Sequence, residues 1–185
     1  MSSIEVPRIR DAGEADVAAI CAFGVAHVAD HYRPLIGDAP ARAQVERWWN
    51  EQVIGQAVRA GVVVVAEVVG VDGVVGVGQR GRDGTDHVIY KLYVHPDHRA
   101  RGLGPRLIDA LVRQLPDDAD RLGVEHFAGN ARAGAFYERE GFVVERIEPG
   151  PTAALAVVWR ARRLGGARPR GAAEPAAPAH EINIS

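Results

Sequence analysis

Between Val62 and Val94 the chain writes one pattern three times. Apolar runs rich in β-branched residues, "VVVVAEVV", "VVGVGQ" and "HVIYKLYV", alternate with the turn-forming stretches "GVDG" and "RGRDGTD". Side chains branched at Cβ pack well on a pleated surface, and glycine and aspartate between short runs fold each strand back beside the last. The segment predicts an antiparallel meander, which restricts the chain to folds built around a sheet.

The flanks supply helices. After a short strand around Val6 to Ile9, Val17, Ile20, Cys21, Gly24 and Val28 recur at helical spacing. "APARAQVERWWNEQVIGQAVRAG" spaces Val45, Trp48, Trp49, Gln52, Val53 and Val58 in the same way and reads as one helix stopped by Gly61. Beyond the meander, "PRLIDALVRQL" sets Leu107, Ile108, Leu111, Val112 and Leu115 on one face. Pro105 there takes the first helical position, where a missing N–H costs the helix nothing. A strand near Leu122 to Phe127, a helix in "ARAGAFYEREG" and a strand pair in "FVVERI" and "AALAVVWRA" follow. The fold class is therefore α/β (α+β), with one domain over residues 1–163. Residues 164–185, rich in Ala, Gly and Pro, predict a disordered tail.

Composition excludes several partners. With a formal charge of −2 and a sequence pI near 6.4, the chain has no overall attraction for nucleic acid or anionic membrane. The single cysteine, Cys21, excludes an internal disulfide and a multi-cysteine metal site and fits a reducing compartment, the cytoplasm. The N-terminal residues lack the apolar run of a secretory signal. "GVVVVAEVVGVDGVVGVG" is broken by Glu67 and Asp72, short of the roughly 20 apolar residues of a membrane span. His27 and His31 lie one helical turn apart without a third ligand, so no metal is assigned.

Against that neutral background, "HPDHRARGLGPRL" gathers Arg99, Arg101 and Arg106 around Gly102 and Gly104 where a helix begins. A helix start presents unsatisfied N–H groups and a partial positive charge, and glycines let an anion approach them. Forked guanidinium donors suit phosphate oxygens, and Lys91 and His98 lie nearby. The competing reading is a solvated loop. A Walker loop would need Gly-Lys-Ser/Thr, and a dinucleotide fingerprint would need Gly or Ala at Leu107, so neither pattern applies.

Two stretches together resemble the GNAT superfamily of N-acetyltransferases. "YKLYVHPDHRARGLG" is similar to its acetyl-CoA motif, Arg/Gln-x-x-Gly-x-Gly/Ala, with Arg99, Gly102 and Gly104 in place. "GNARAGAFYEREGF" is similar to its second signature through Asn130, Ala133, Phe136, Tyr137, Gly141 and Phe142. The resemblance covers roughly residues 5–162. It implies a mixed, mostly antiparallel sheet flanked by helices, with acetyl-CoA as co-substrate and an amine as acceptor.

By the same resemblance the Arg99, Arg101, Gly102, Leu103, Gly104 turn, with Arg106, would hold the pyrophosphate. The edge at Leu92, Tyr93 and Val94 would pair with the pantetheine arm. Asn130 would hydrogen-bond the cofactor on the thiol side, Ala133 would also contact the cofactor, and Tyr137 would be the general acid for the departing thiolate. Two departures stand out: Pro105 removes one amide from the cradle, and Val88 occupies the strand position where many members carry a glutamate base. Glu125, His126 and His87 are the candidates for that proton transfer, with Glu125 assigned first. Trp48 and Trp49 are candidate walls of the acceptor pocket, and the C-terminal strand pair offers an edge for a homodimer. The competing reading is an acyl-CoA-binding module with weakened catalysis.

Overall fold

The computed structural model describes residues 7–165. Seven strands form one sheet in the order β1-β2-β3-β4-β5-β7-β6: β1 (Arg8–Asp11), β2 (Val63–Glu67), β3 (Gly76–Asp83), β4 (Asp86–Val94), β5 (Arg121–Phe127), β6 (Val143–Glu148) and β7 (Val157–Arg163). Neighbours run antiparallel except β4 and β5, which are parallel. The meander is β2-β3-β4. Strand β7 inserts between β5 and β6 and leaves β6 at the edge with Val143, Val144 and Ile147 exposed.

Alternation along the central strands explains two cores. Val63 and Val65 of β2 face one side with Val77, Tyr93 and Phe127, under α1 (Val17–His27), α2 (Ala29–Ile36), α3 (Asp38–Trp48) and α4 (Glu51–Arg59). Val64 and Ala66 face the other side with Ile89, Leu92, Leu122 and Val124, against α5 (Leu103–Arg113) and α6 (Ala131–Arg139). A strand buried on both faces has no polar face to show, which is why "VVVVA" is continuous rather than alternating. Because α5 starts at Leu103, Pro105 is its third residue rather than its first. The missing N–H still falls among those a helix start leaves unbonded.

The long second helix read from sequence is two helices. Trp49 leaves helical geometry (φ −119°, ψ 44°), and Asn50 serves both ends of the break. Its side-chain amide donates to Glu46 O (3.0 Å) and Arg47 O (2.9 Å), and its Oδ1 accepts from Val53 N (3.0 Å). One asparagine thus closes α3 and caps α4. The first helix is likewise split, into a 3₁₀ turn at Glu14–Asp16, α1 and α2. Most of the predicted tail lies outside the described residues. Leu164 belongs to the fold, since its N–H donates to Asp120 O at 2.8 Å and its side chain packs on the α5 core.

The Asn50 break directs Trp49 inward, where its ring fills the place a side chain on Gly24 would need. Gly24→Ala is therefore expected to destabilise the protein by about 1–3 kcal/mol through overpacking, although alanine is worth about 1 kcal/mol over glycine in a helix interior. Urea unfolding of the two proteins measures the sign.

Candidate active site

The site forms where a ladder stops. The parallel register of β4 with β5 consists of Val88↔Gly123 and Ile89↔Val124. On its other side β4 stays in register with β3 to Val94, with Tyr90 inserted as a β-bulge between the Gln79↔Lys91 and Arg80↔Ile89 pairs. Past the last β5 pair, a cavity of about 430 Å³ opens beside Leu92, Tyr93 and Val94. The loop from His98 to Gly102, the start of α5 and one face of α6 complete its walls.

The cavity meets the start of α5, which like α1, α2 and α3 has no side-chain cap, while α4 and α6 are capped by Asn50 and Asn130. Ala100 and Gly102 adopt φ of +57° and +74°, turning the chain so that the amides of Leu103 and Gly104 lead into the helix at the cavity wall. Among the described residues, no atom beyond its two chain neighbours lies within 4 Å of where a Cβ on Gly102 would stand, so the approach is open. At Gly104 a Cβ would stand 2.9 Å from the Phe136 ring, so that glycine permits α5 and α6 to close on each other. Uncapped amides, an open glycine and arginines in the walls suit an elongated anion such as a pyrophosphate.

Of the residues expected at a cofactor, Leu92, Tyr93, Val94, Arg99, Gly102, Leu103 and Gly104 line this one cavity. Arg101 is exposed on the same loop, and Arg106 turns away to donate to Pro7 O at 2.8 Å. Asn130 Oδ1 accepts from Ala133 N (3.1 Å), which caps α6 and leaves Ala133 fully buried. Sequence reasoning missed Arg132 and Arg139, which join the walls beside Phe136. Their spacing of four and three residues around Phe136 was the available signal, because it places all three on one helical face.

The two catalytic candidates lie on opposite faces of β5. Tyr137 is fully buried in the α5–α6 core, its ring stacked 6.1 Å from His126 and edge-on to Phe136 and Phe142. Glu125, next to His126 along the strand, therefore points to the other face. Its cross-strand neighbour is Trp159, whose ring carries the Arg146 guanidinium at 4.1 Å. Glu125 is 5% exposed, and its Oε1 has no hydrogen-bond partner among the described residues. Burial, reinforced by the charges of Glu148 and Asp83, pushes its pKa up to about 8.

The other proton-transfer candidates are differently placed. His126 Nδ1 lies 2.9 Å from Phe127 O, and Arg160 Nε donates to His126 Nε2 at 3.1 Å. Those partners fix a neutral ring protonated on Nδ1, and burial lowers its pKa. His87 sits beside Arg82, near the β3–β4 turn. Val88 is buried core. Trp49 is core, with Lys91 Nζ 5.3 Å from its ring, while Trp48 is half-buried beneath Arg47. His27 packs against Phe23 and His95.

Residues 59–144 match the family model of the acetyltransferase (GNAT) domain. No curated protein sequence matches the chain. Among solved structures, a GCN5-related N-acetyltransferase from Rhodopseudomonas palustris is 24% identical, with 89% of this chain and all of that one aligned at a TM-score of 0.69. The ribosomal-protein-S18-alanine N-acetyltransferase of Escherichia coli is 19% identical over 88% of this chain and 97% of its own, with a TM-score of 0.62. YncA of Salmonella typhimurium, described as a putative acetyltransferase with its cofactor acetyl-CoA, is 21% identical over 93% and 99%, with a TM-score of 0.61.

The raised Glu125 pKa has a consequence for stability. Between an unfolded pKa near 4.3 and the folded value of about 8, the native state holds more protons than the unfolded one, so stability falls as pH rises through that window. Glu125→Gln keeps the neutral form's shape at every pH. Its stability relative to the parent is expected to grow from pH 4.5 to pH 8 and then level off, by roughly 2–4 kcal/mol. Urea titrations at pH 5, 7 and 9 check the trend.

Proposed function

Since the chain carries a GNAT acetyltransferase domain, we propose that it transfers the acetyl group of acetyl-CoA directly to a primary amine, on a small molecule or an exposed amino group. The observation that carries this reading is the uncapped start of α5 at the Gly102 turn, opening on a cavity walled by Arg99, Arg132 and Arg139. When bound, acetyl-CoA supplies an activated thioester carbonyl. The amides of Leu103 and Gly104 and the three arginines would hold its phosphates, and Leu92 to Val94 would flank the pantetheine arm. Arg99 and Arg132 reach the cavity from different elements, so an elongated polyanion can meet both.

Glu125 and Tyr137 divide the proton traffic between the faces of β5. Glu125 takes a proton from the acceptor amine. With its pKa near 8, about a tenth of it is ionised at pH 7, and that base is better matched to an ammonium than an ordinary carboxylate. Tyr137 is the phenol assigned to protonate the departing thiolate, from its place in the α5–α6 core behind the cavity wall at Phe136. Positioning supplies much of the rate in such a transfer, so a base on β5 serves although Val88 offers none on β4.

Thermal unfolding with and without acetyl-CoA tests the binding half: the melting temperature of the parent is expected to rise with acetyl-CoA, and Gly102→Glu to abolish the rise. Thiol release tests the chemistry. Tyr137→Phe is expected to lower kcat about 100-fold with the thermal shift retained. In the parent, kcat/KM is expected to rise with pH through a midpoint near 8, a limb that Glu125→Gln removes. A thermal shift in the parent without thiol release from any amine would instead identify an acyl-CoA-binding module.

A further inference from the structure

We propose that His31, on α2, is a positioning residue that aims Arg99 into the cofactor cavity. Arg99 is held at two points. Its Nε donates to Val94 O at 3.0 Å, and its Nη2 donates to His31 Nε2 at 2.7 Å. Val94 ends β4 and His31 belongs to a different element, so the guanidinium is fixed in position and in rotation. Both His31 and Arg99 line the cavity. A guanidinium has five N–H donors, and this clasp uses two, leaving others for a phosphate.

The bond requires His31 to accept through Nε2 and carry its proton on Nδ1, because the arginine has no acceptor. The surroundings keep the ring neutral. Burial, Arg99, Arg132 and His27 all oppose a charge there, against Asp30 alone, and bring its pKa down to about 4. The helix is anchored to the same strand next door, through a hydrogen bond of 3.1 Å between the Tyr32 and Tyr93 hydroxyls. His31 also packs on the Tyr93 ring at 5.9 Å. Adjacent residues of α2 therefore fix the end of β4 and the first arginine of the loop together. Without the clasp, a long arginine side chain ordered only on binding loses rotamer entropy at that step.

The inference rests on reading the cavity as the cofactor's, and its test separates the two. Trypsin needs an accessible arginine side chain, and Arg101 lies exposed two residues from Arg99 as an internal standard. In the protein without ligand, limited trypsinolysis read by mass spectrometry is expected to cut after Arg101 and spare Arg99. His31→Ala is expected to expose Arg99 to cleavage, and His31→Gln, whose amide oxygen can accept the same bond, to restore its protection. Calorimetric titration with coenzyme A should show the same order, about 10-fold weaker binding for His31→Ala and recovery in His31→Gln. Imidazole nitrogen chemical shifts at pH 6 should report a neutral ring protonated on Nδ1. An unchanged Arg99-to-Arg101 cleavage ratio in His31→Ala, or a cationic His31 at pH 6, overturns the proposal. If the parent binds no coenzyme A, the cofactor reading fails and the clasp is judged on the cleavage ratio alone.

Discussion

Because the parallel register between β4 and β5 consists of Val88↔Gly123 and Ile89↔Val124, the two antiparallel halves of the seven-stranded sheet meet at a narrow vertex. On one side lie β1 to β4, on the other β5, β7 and β6. Backbone donors and acceptors in a sheet interior are normally consumed by neighbouring strands, so a ligand can reach strand backbone at such a fold's centre only where a ladder ends. Helices cover both faces of the vertex. Residues 103–113 and 131–139 occupy one face, and Gly104 against Phe136 sets how near α5 and α6 approach. On the other face α2 spans the ends of the two halves, with Tyr32 on Tyr93 and Leu35 against Gly129 just beyond β5.

The same vertex makes two environments out of one strand. Period-2 alternation sends Glu125 and His126 to opposite faces, and with them go opposite chemical settings. On the His126 side the ring is neutral between Phe127 O and Arg160, packed on Tyr137. On the Glu125 side a carboxyl group is buried near Tyr90 and Trp159, with one oxygen unbonded and only Arg146 opposing the charges of Asp83 and Glu148. Burying an unpaired carboxylate is costly, and a fold retains such a group in neutral form unless something compensates it. Glu125 and Tyr137 therefore sit on opposite sides of β5, the first on the strand itself and the second on α6.

The meander, the helix after Gly104 and the strand pair at the end were legible because each follows from periodicity and turn chemistry within a few residues. The loop at Arg99 to Gly104 was legible for the same reason. What was not legible depended on contacts distant in sequence or on competing local bonds. Asn50 interrupts a good helical pattern because its side chain can bond backbone on both sides, and apolar spacing through Trp48, Trp49 and Val53 does not register that competition. Arg132 and Arg139 carry no motif, and they line the cavity from a face of α6 that Tyr137 does not share. In sequence His27 and His31 read only as a possible ligand pair, whereas in the fold His31 meets a guanidinium 68 residues away.

Arg99 shows why a motif residue should be read through its bonds. Taken from sequence, three arginines in a loop are three equal charges. In the fold they differ: Arg106 is bound to Pro7 O, Arg101 is exposed, and Arg99 is clasped at the cavity wall. Burial and the neighbouring Arg132, which reaches the same cavity from α6, both lower the Arg99 pKa without discharging it, so Arg99 stands under the repulsion of a second cation before any anion arrives. A carbonyl and a neutral imidazole can hold a guanidinium against it, since both accept hydrogen bonds without bringing a counter-charge that would cancel the field. A carboxylate in place of His31 would hold Arg99 more firmly and leave less positive potential for a phosphate. The neutral acceptor therefore reconciles a fixed arginine with an undiminished charge.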